Sequence, residues 1–412
     1  MTTNYQPMQT QERVEILDLL RGFALLGILM VNLPLMNAPF LTEMREFALW
    51  TDPLNTQAKW VLDFFFTGKF YTLFSMLFGM GFYYFMRKAD EANRGVLPLF
   101  RKRLAWLLLI GALHVVLLWY GDILVFYALF GFLMILFRKK SNKALLIWAF
   151  CILLLPILFS LLFALFFKWM LSIPDAAEEM LKTFDESYFS MKEMFERTLT
   201  VYATGSFGQI VAMRLREYSN VLGGVLFFFP NVLAMFLVGM VLARKKVFEN
   251  LEAHKGFFQK LLLFSLPFAL TGNYLYATYS VQSSYIMIDM NTVIALVGHG
   301  FGGPAMTFVY IAIIAHCYHN NYLPRLSHAI KRTGRMALTN YLMQSVIATT
   351  LFFSYGLGLY GKVNIWQGML LTLAIYIVQV VWSDIWLRHF RFGPMEWFWR
   401  TLTYGKKQKM KL

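Results

Sequence analysis

Charge is scarce in this chain. Only 15% of its 412 residues are Asp, Glu, Lys or Arg, against about 25% in soluble domains, and the mean hydropathy is +0.53. This excludes an ordinary soluble protein and any division of the chain into soluble domains by length. Cysteine is nearly missing as well. Cys151 and Cys317 both lie in apolar runs and read as small hydrophobes, so neither a disulfide framework nor a thiolate metal site is expected. The chain lacks a GxxxxGK[ST] phosphate loop, a GxSxG nucleophile elbow and an HExxH zinc motif. His316 and His319 are three apart without a carboxylate at ligand spacing, so no metal is expected. Acidic residues number 23 against 38 basic ones, a net charge of +15. The basic residues cluster at the ends of apolar runs, which points to membrane topology and not to nucleic acid.

What is abundant is long apolar sequence. Ten candidate spans are read at about 16–37, 58–86, 99–119, 121–137, 144–168, 222–243, 257–280, 285–318, 333–355 and 363–387. Runs of this length and continuity suit membrane helices and not barrel strands. Most of the Lys and Arg residues fall in alternate connections if both termini face the cytoplasm, as the positive-inside rule requires. The polar N-terminus shows no small-residue cleavage site after the first span, which reads as a retained helix. The expectation is an all-α polytopic bundle of about ten helices. It divides into a five-helix half (1–168), an extracytoplasmic segment (169–221) and a second five-helix half (222–412). In the middle segment Phe184, Tyr188, Met191 and Phe195 repeat at helical spacing, as in a helix lying on the membrane surface. The run Gly298-His299-Gly300-Phe301-Gly302-Gly303-Pro304 predicts a broken helix at 298–304, tolerable at membrane depth only against protein or a wet cavity.

Polar residues inside the spans are the candidate functional groups. His114 follows Arg103 by eleven residues, about 16 Å along a helix at ~1.5 Å per residue, near mid-membrane. It reads as a structural histidine, a general acid or base, or a proton relay. Asp122 lies eight residues on, too far to pair unless Gly121 lets the chain fold back. Asp18 and Arg21 share a helix face at the cytoplasmic end of the first span. They read either as a local ion pair or as an anchor for phosphate or carboxylate. Asn32 is deeper on the same span. Lys69, six residues after Asp63, is expected to pair with other helices. Asn340 and Gln344 form a polar stripe facing the bundle. His299 either lines a cavity or sits in a wet loop, and Arg214 and Glu217 belong to an outer amphipathic stretch.

Five stretches carry a family resemblance: RVEILDLLRGFALLGILMVN from Arg13 to Asn32; FYTLFSMLFGMG from Phe70 to Gly81; His114 with WYGDIL from Trp119 to Leu124; GRMALTNYL from Gly334 to Leu342; and RFGPMEWFWR from Arg391 to Arg400. With these motifs the chain resembles the YeiB-like family of bacterial membrane proteins, a domain of unknown function numbered four-one-eight. Its Leu-Asp-x-x-Arg-Gly opening is also similar to the start of transmembrane acyltransferases. That second resemblance implies transfer of an acyl group from cytosolic acyl-CoA to a carbohydrate or lipid-linked acceptor across the bacterial cell membrane. It departs from those enzymes where their first-span histidine falls, since Asn32 stands there, and at Lys59–Asp63, which holds no histidine.

The resulting expectation places His114 and Asp122 as catalytic base and its tuning carboxylate. Asp18, Arg21 and Lys69 would hold the acyl-CoA donor. Asn32, Arg214, Glu217, His299 and Asn340 would meet the acceptor. Membrane lipid and a small or lipid-linked glycan are the expected partners, with a homodimer left open. Two other readings stay open: a proton-coupled transporter or lipid flippase, and a non-catalytic module binding a lipid or partner through 169–221.

Overall fold

The computed structural model describes residues 14–91, 96–224, 229–284 and 288–412; Arg13, at the head of the first motif, lies outside them. The first helix, α1 (Glu15–Asn37), carries Glu15 and Asp18 in its first turn, where carboxylates complement the helix dipole. Helix α2 (Pro53–Phe65) starts at Asp52, whose side chain accepts the Asn55 N–H, with Pro53 in the first turn. It is followed by α3 (Phe70–Glu91), α4 (Leu97–Leu117), α5 (Leu124–Phe137) and α6 (Asn142–Met170). Next come α7 (Pro174–Thr204) and α8 (Phe207–Gly223), the latter opened by a reciprocal Ser206–Gln209 capping box. The remainder is α9 (Pro230–Arg244), α10 (Lys255–Tyr279), α11 (Met290–Val297), α12 (Gly303–His319), α13 (Pro324–Arg335), α14 (Ala337–Phe352), α15 (Ile365–His389) and α16 (Pro394–Tyr404). No strand occurs among the described residues, so the fold is all-α.

Among the described residues, six stretches are long and apolar enough to cross a membrane: Glu15–Asn37, Pro53–Arg87, Asn142–Met170, Lys255–Gln282, Met290–His319 and Ile365–His389. The expected number was ten. The other four expected spans correspond to α4, α5, α9 and α14. The last three have 14, 15 and 16 residues, about 21–24 Å of helix, short of a hydrocarbon core about 30 Å thick. Helix α4 carries Arg101, Lys102 and Arg103 in its early turns. Apolar side chains cover the outside of α6 and α10, where Phe150, Leu162, Trp169, Leu263, Phe264 and Phe268 are all exposed. Cys151 is exposed on α6 and Cys317 half-exposed on α12, and neither forms a disulfide.

Glycines set the closest helix crossings. Gly79 of α3 lies against the Phe236 carbonyl of α9, and Gly239 of α9 against the Met76 carbonyl of α3, with no room for a Cβ at either. Small residues let backbones approach in this way. Gly22 of α1 packs likewise on Ile330, and Gly334 of α13 on the Asp18 carbonyl.

Two long spans are irregular at mid-length. Between α2 and α3 the chain turns through residues 66–69, with Gly68 at φ +88°, a conformation that favours glycine. Gly298–Gly302, where sequence predicts a break, instead forms one wide π-helical turn joining α11 to α12. Its Gly302 carbonyl accepts from Asn273 Nδ2 of α10 at 2.8 Å. The amphipathic α7 packs part of its apolar face on the rest of the chain. Its aromatic stripe faces protein: Tyr188 and Phe195 pack on Phe47 with ring centroids 5.5 and 5.4 Å apart, and Phe184 packs on Phe167 at 5.7 Å.

Candidate functional site

Helix α4 ends just past His114, whose carbonyl accepts from Leu118 and Trp119 at 2.9 and 3.0 Å. The chain then folds back through Gly121. Asp122 Oδ1 accepts the Val125 N–H in the first turn of α5 at 2.7 Å, while Asp122 Oδ2 reaches His114 Nδ1 at 2.8 Å. The contact is at ion-pair distance without full hydrogen-bond alignment. Gly111 makes the return fit, since a Cβ there would come within 2.9 Å of Asp122 Oδ1. On its other side His114 Nε2 meets Ser345 Oγ of α14 at 2.8 Å. All three residues are buried. The Tyr341 ring lies 5.3 Å from the imidazole, and its hydroxyl accepts the Ile123 N–H at 3.4 Å. With Nδ1 facing a carboxylate and Nε2 facing a hydroxyl, the tautomer that carries its proton on Nδ1 suits both contacts. The order carboxylate, imidazole, hydroxyl is that of a base held in one tautomer by its acid partner. Sequence reasoning missed Ser345, which stands 231 positions from His114 with no local signal to join them.

The other candidates form separate groups. Asp18 Oδ1 and Arg21 Nη1 pair at 2.7 Å at the start of α1. Asn340 donates to the Thr333 carbonyl at 3.1 Å and to Ser383 at 2.9 Å. Gln344 and Gln379 join at 2.9 Å, and Gln379 also donates to the Asn340 carbonyl at 2.9 Å. This stripe therefore bonds α14 to α15, the interhelical role such amides commonly have. Asn32 is half-buried on α1 near Leu29 and Leu33, which pack with Trp119 and Tyr120.

Lys69 is fully buried. Its ammonium donates to the carbonyls of Asp63 at 2.5 Å and Thr67 at 2.6 Å, closing the C-terminal end of α2. Its hydrogen bonds thus go to the backbone just before it, and its contact with another helix is the Tyr276 ring of α10. The Asp63 carboxylate takes Lys59 at 2.9 Å and Thr67 at 2.9 Å. His299 from the π turn lies over Gly68, and its Nε2 meets the Tyr71 hydroxyl at 2.9 Å, which in turn accepts from Asn231 at 3.1 Å. Lys69 and His299 both contact the Tyr276 ring, at 5.6 and 4.9 Å. The two helix irregularities thus face each other.

Beyond the C-terminal end of α4, α8 supplies Arg214 and Glu217, both fully buried. Arg214 Nη1 donates to the Val116 carbonyl at 2.5 Å, and Tyr202 of α7 donates to Glu217 Oε2 at 2.7 Å. Burial pushes the Glu217 carboxyl up to about 8. Among the described residues, no three His, Cys, Asp or Glu side chains gather as a metal site.

The protein of unknown function family DUF418 matches residues 242–406. The uncharacterized protein YxaH of Bacillus subtilis (strain 168) is 35% identical over 98% of this chain and 97% of its own length. The chain belongs to the DUF418 family. Other relatives are an uncharacterized 39.9 kDa protein from the amylase 3' region of Bacillus acidopullulyticus, 28% identical over 97% of the chain and 96% of its own, and the uncharacterized protein YeiB of Escherichia coli (strain K12), 27% identical over 95% and 96%. No solved structure matches. The DUF418 match takes in Ser345, Asn340 and His299 but not His114 or Asp122. In this DUF418 protein the candidate base and the hydroxyl beside it therefore come from opposite sides of that boundary.

Proposed function

We propose that this DUF418 protein is a transmembrane acyltransferase that moves an acyl group from cytosolic acyl-CoA to a carbohydrate or lipid-linked acceptor. The observation carrying this reading is the buried Asp122–His114–Ser345 chain, with 2.8 Å on either side of the imidazole. Asp122 orients the ring and stabilises the imidazolium that forms when Nε2 takes a proton. In catalysis the acceptor hydroxyl replaces Ser345 Oγ at Nε2, gives up its proton there and attacks the thioester carbon. The CoA sulfur leaves, and the imidazolium returns the proton to it. Both termini lie in the cytosol in this reading, which puts Asp18 and Arg21 at the donor side and α7–α8 at the acceptor side of the bacterial cell membrane.

The test uses the purified chain with acyl-CoA from acetyl to palmitoyl. The wild type binds at least one ester and releases CoA in the presence of acceptor. His114→Ala retains ester binding and loses release. Absence of binding across the whole series removes this reading. A second reading, proton-coupled transport, draws on the facing irregularities at 66–69 and 298–302 with Lys69 and His299 between them. It requires pH-driven substrate movement into proteoliposomes without covalent change, and sensitivity to His299→Ala.

A further inference from the structure

Arg214 is an expensive residue to bury. Its Nη1 is used at the Val116 carbonyl, among the last acceptors of α4 that lack a partner within their own helix. Phe353 covers the guanidinium at 5.7 Å. The other edge, Nε and Nη2, has no partner in hydrogen-bonding geometry. Those two N–H groups are the parallel pair that receives a carboxylate or phosphate side-on. One helical turn along the same face, Glu217 uses Oε2 for Tyr202, and Oε1 is likewise without an aligned partner; the Phe40 backbone N–H faces this carboxyl. The Phe353 and Tyr360 rings pack tilted against Tyr202, with centroids 4.5 and 4.8 Å away. The walls are aromatic, and the unused polar atoms are a guanidinium edge and one carboxyl oxygen. With Glu217 held up to about 8 by burial, the guanidinium charge is not cancelled by its neighbour near neutral pH.

We propose that Arg214 and Glu217 form an anion site whose ligand is a hydroxyl-bearing phosphate or carboxylate: the Nε/Nη2 edge grips the acidic group and Glu217 Oε1 takes an adjacent hydroxyl. Calling this ligand the acceptor rests on the acyl-transfer reading. Its position suits that role, because Val116 is two residues beyond His114, about 3 Å of helix rise. An acceptor gripped by its acidic group at Arg214 would present its hydroxyl toward the imidazole. The ligand would then be an acidic polyol or lipid headgroup and not a neutral sugar.

Binding is measured without acyl donor, on the full chain in phosphatidylcholine nanodiscs, with glycerol 3-phosphate, inorganic phosphate, glucuronate and glycerol as probes. The wild type should bind glycerol 3-phosphate or glucuronate and not glycerol, and Arg214→Lys should weaken that binding at least tenfold. Glu217→Met, which keeps the volume and removes both polar atoms, should keep inorganic phosphate binding and lose the preference for glycerol 3-phosphate over it, which tests the site if Arg214→Lys fails to fold. Loss of the soluble probe in phosphatidylglycerol nanodiscs identifies a lipid headgroup as the occupant; its retention identifies a soluble one. The proposal is overturned if no anion binds the wild type, which would leave the free edge serving an internal water, or if both variants bind as the wild type does. Anion binding without turnover keeps the site and removes the transferase reading. Turnover on a neutral acceptor without anion binding does the reverse.

Discussion

Asp122→Asn tests the role of His114 with little change in shape. Asp122 has two obligations, the Val125 N–H at 2.7 Å and His114 Nδ1 at 2.8 Å. The backbone N–H can only donate, so the asparagine must turn its carbonyl oxygen toward it. Its NH2 then faces Nδ1 and also can only donate, which forces Nδ1 to be the bare nitrogen. The ring proton moves to Nε2, pointing at Ser345 Oγ, and the atom that should accept a proton already carries one. The missing carboxylate also stops stabilising the imidazolium. At 2.8 Å and an effective dielectric near 20, that attraction is about 6 kcal/mol, which sets the scale for a loss of about 10³–10⁴-fold in turnover. Folding should lose only about 1 kcal/mol, one charge-assisted contact exchanged for a neutral one. Two assays read this. CoA release under saturating acyl-CoA gives the rate, and 15N NMR of labelled histidine in lipid gives the tautomer independently of any acceptor. The wild type should carry the proton on Nδ1 and the variant on Nε2. The same tautomer in both proteins, or full turnover in the variant, refutes the argument.

Other outcomes follow from the same geometry. Ser345→Ala leaves Nε2 free for the acceptor, so turnover should stay within about tenfold of wild type; complete loss, with an acyl-enzyme trapped in the wild type, would make Ser345 a nucleophile instead. Gly79→Ala and Gly239→Ala each force α3 and α9 apart, with an expected loss of about 1–3 kcal/mol, visible as earlier thermal unfolding in detergent; an unchanged melting curve would contradict the crossing. Glu396 accepts from the Leu338 N–H at 2.6 Å and from the Thr339 hydroxyl at 2.5 Å, and burial holds its carboxyl above the ordinary value of 4.5. A folded-state value above the unfolded one means its contribution is fully present below about pH 4.5 and is lost as pH rises through the raised value. The pH dependence of unfolding in that window should flatten in Glu396→Gln.

The apolar runs made the long apolar helices legible, because hydrophobic length locates those, while α7 and α16 lie outside every such run. The runs overstated the number of full spans, since α5, α9 and α14 are shorter than the runs that predict them. The stripe of Asn340 and Gln344 was also readable, as residues four apart share a helix face. Lys69 was not: nothing in its spacing shows that the helix before it stops four residues earlier and leaves carbonyls to be closed. The His114–Asp122 contact depended on a fold-back that Gly121 allows but does not announce. Ser345 and Tyr202 became visible only through tertiary contacts, and no periodicity within one segment could reveal them.

The seat of α1 has a consequence for how the chain is made. Gly22 rests on Ile330, and Gly334 on the Asp18 carbonyl, so α1 docks on a helix made about 300 residues after it. At about 5–20 residues per second, the roughly 300 residues between them take about 15–60 s to synthesise. For that interval the Asp18–Gly22 stretch of α1 must wait without the helix that covers it. Shortening that wait should matter more to yield than strengthening the finished bundle.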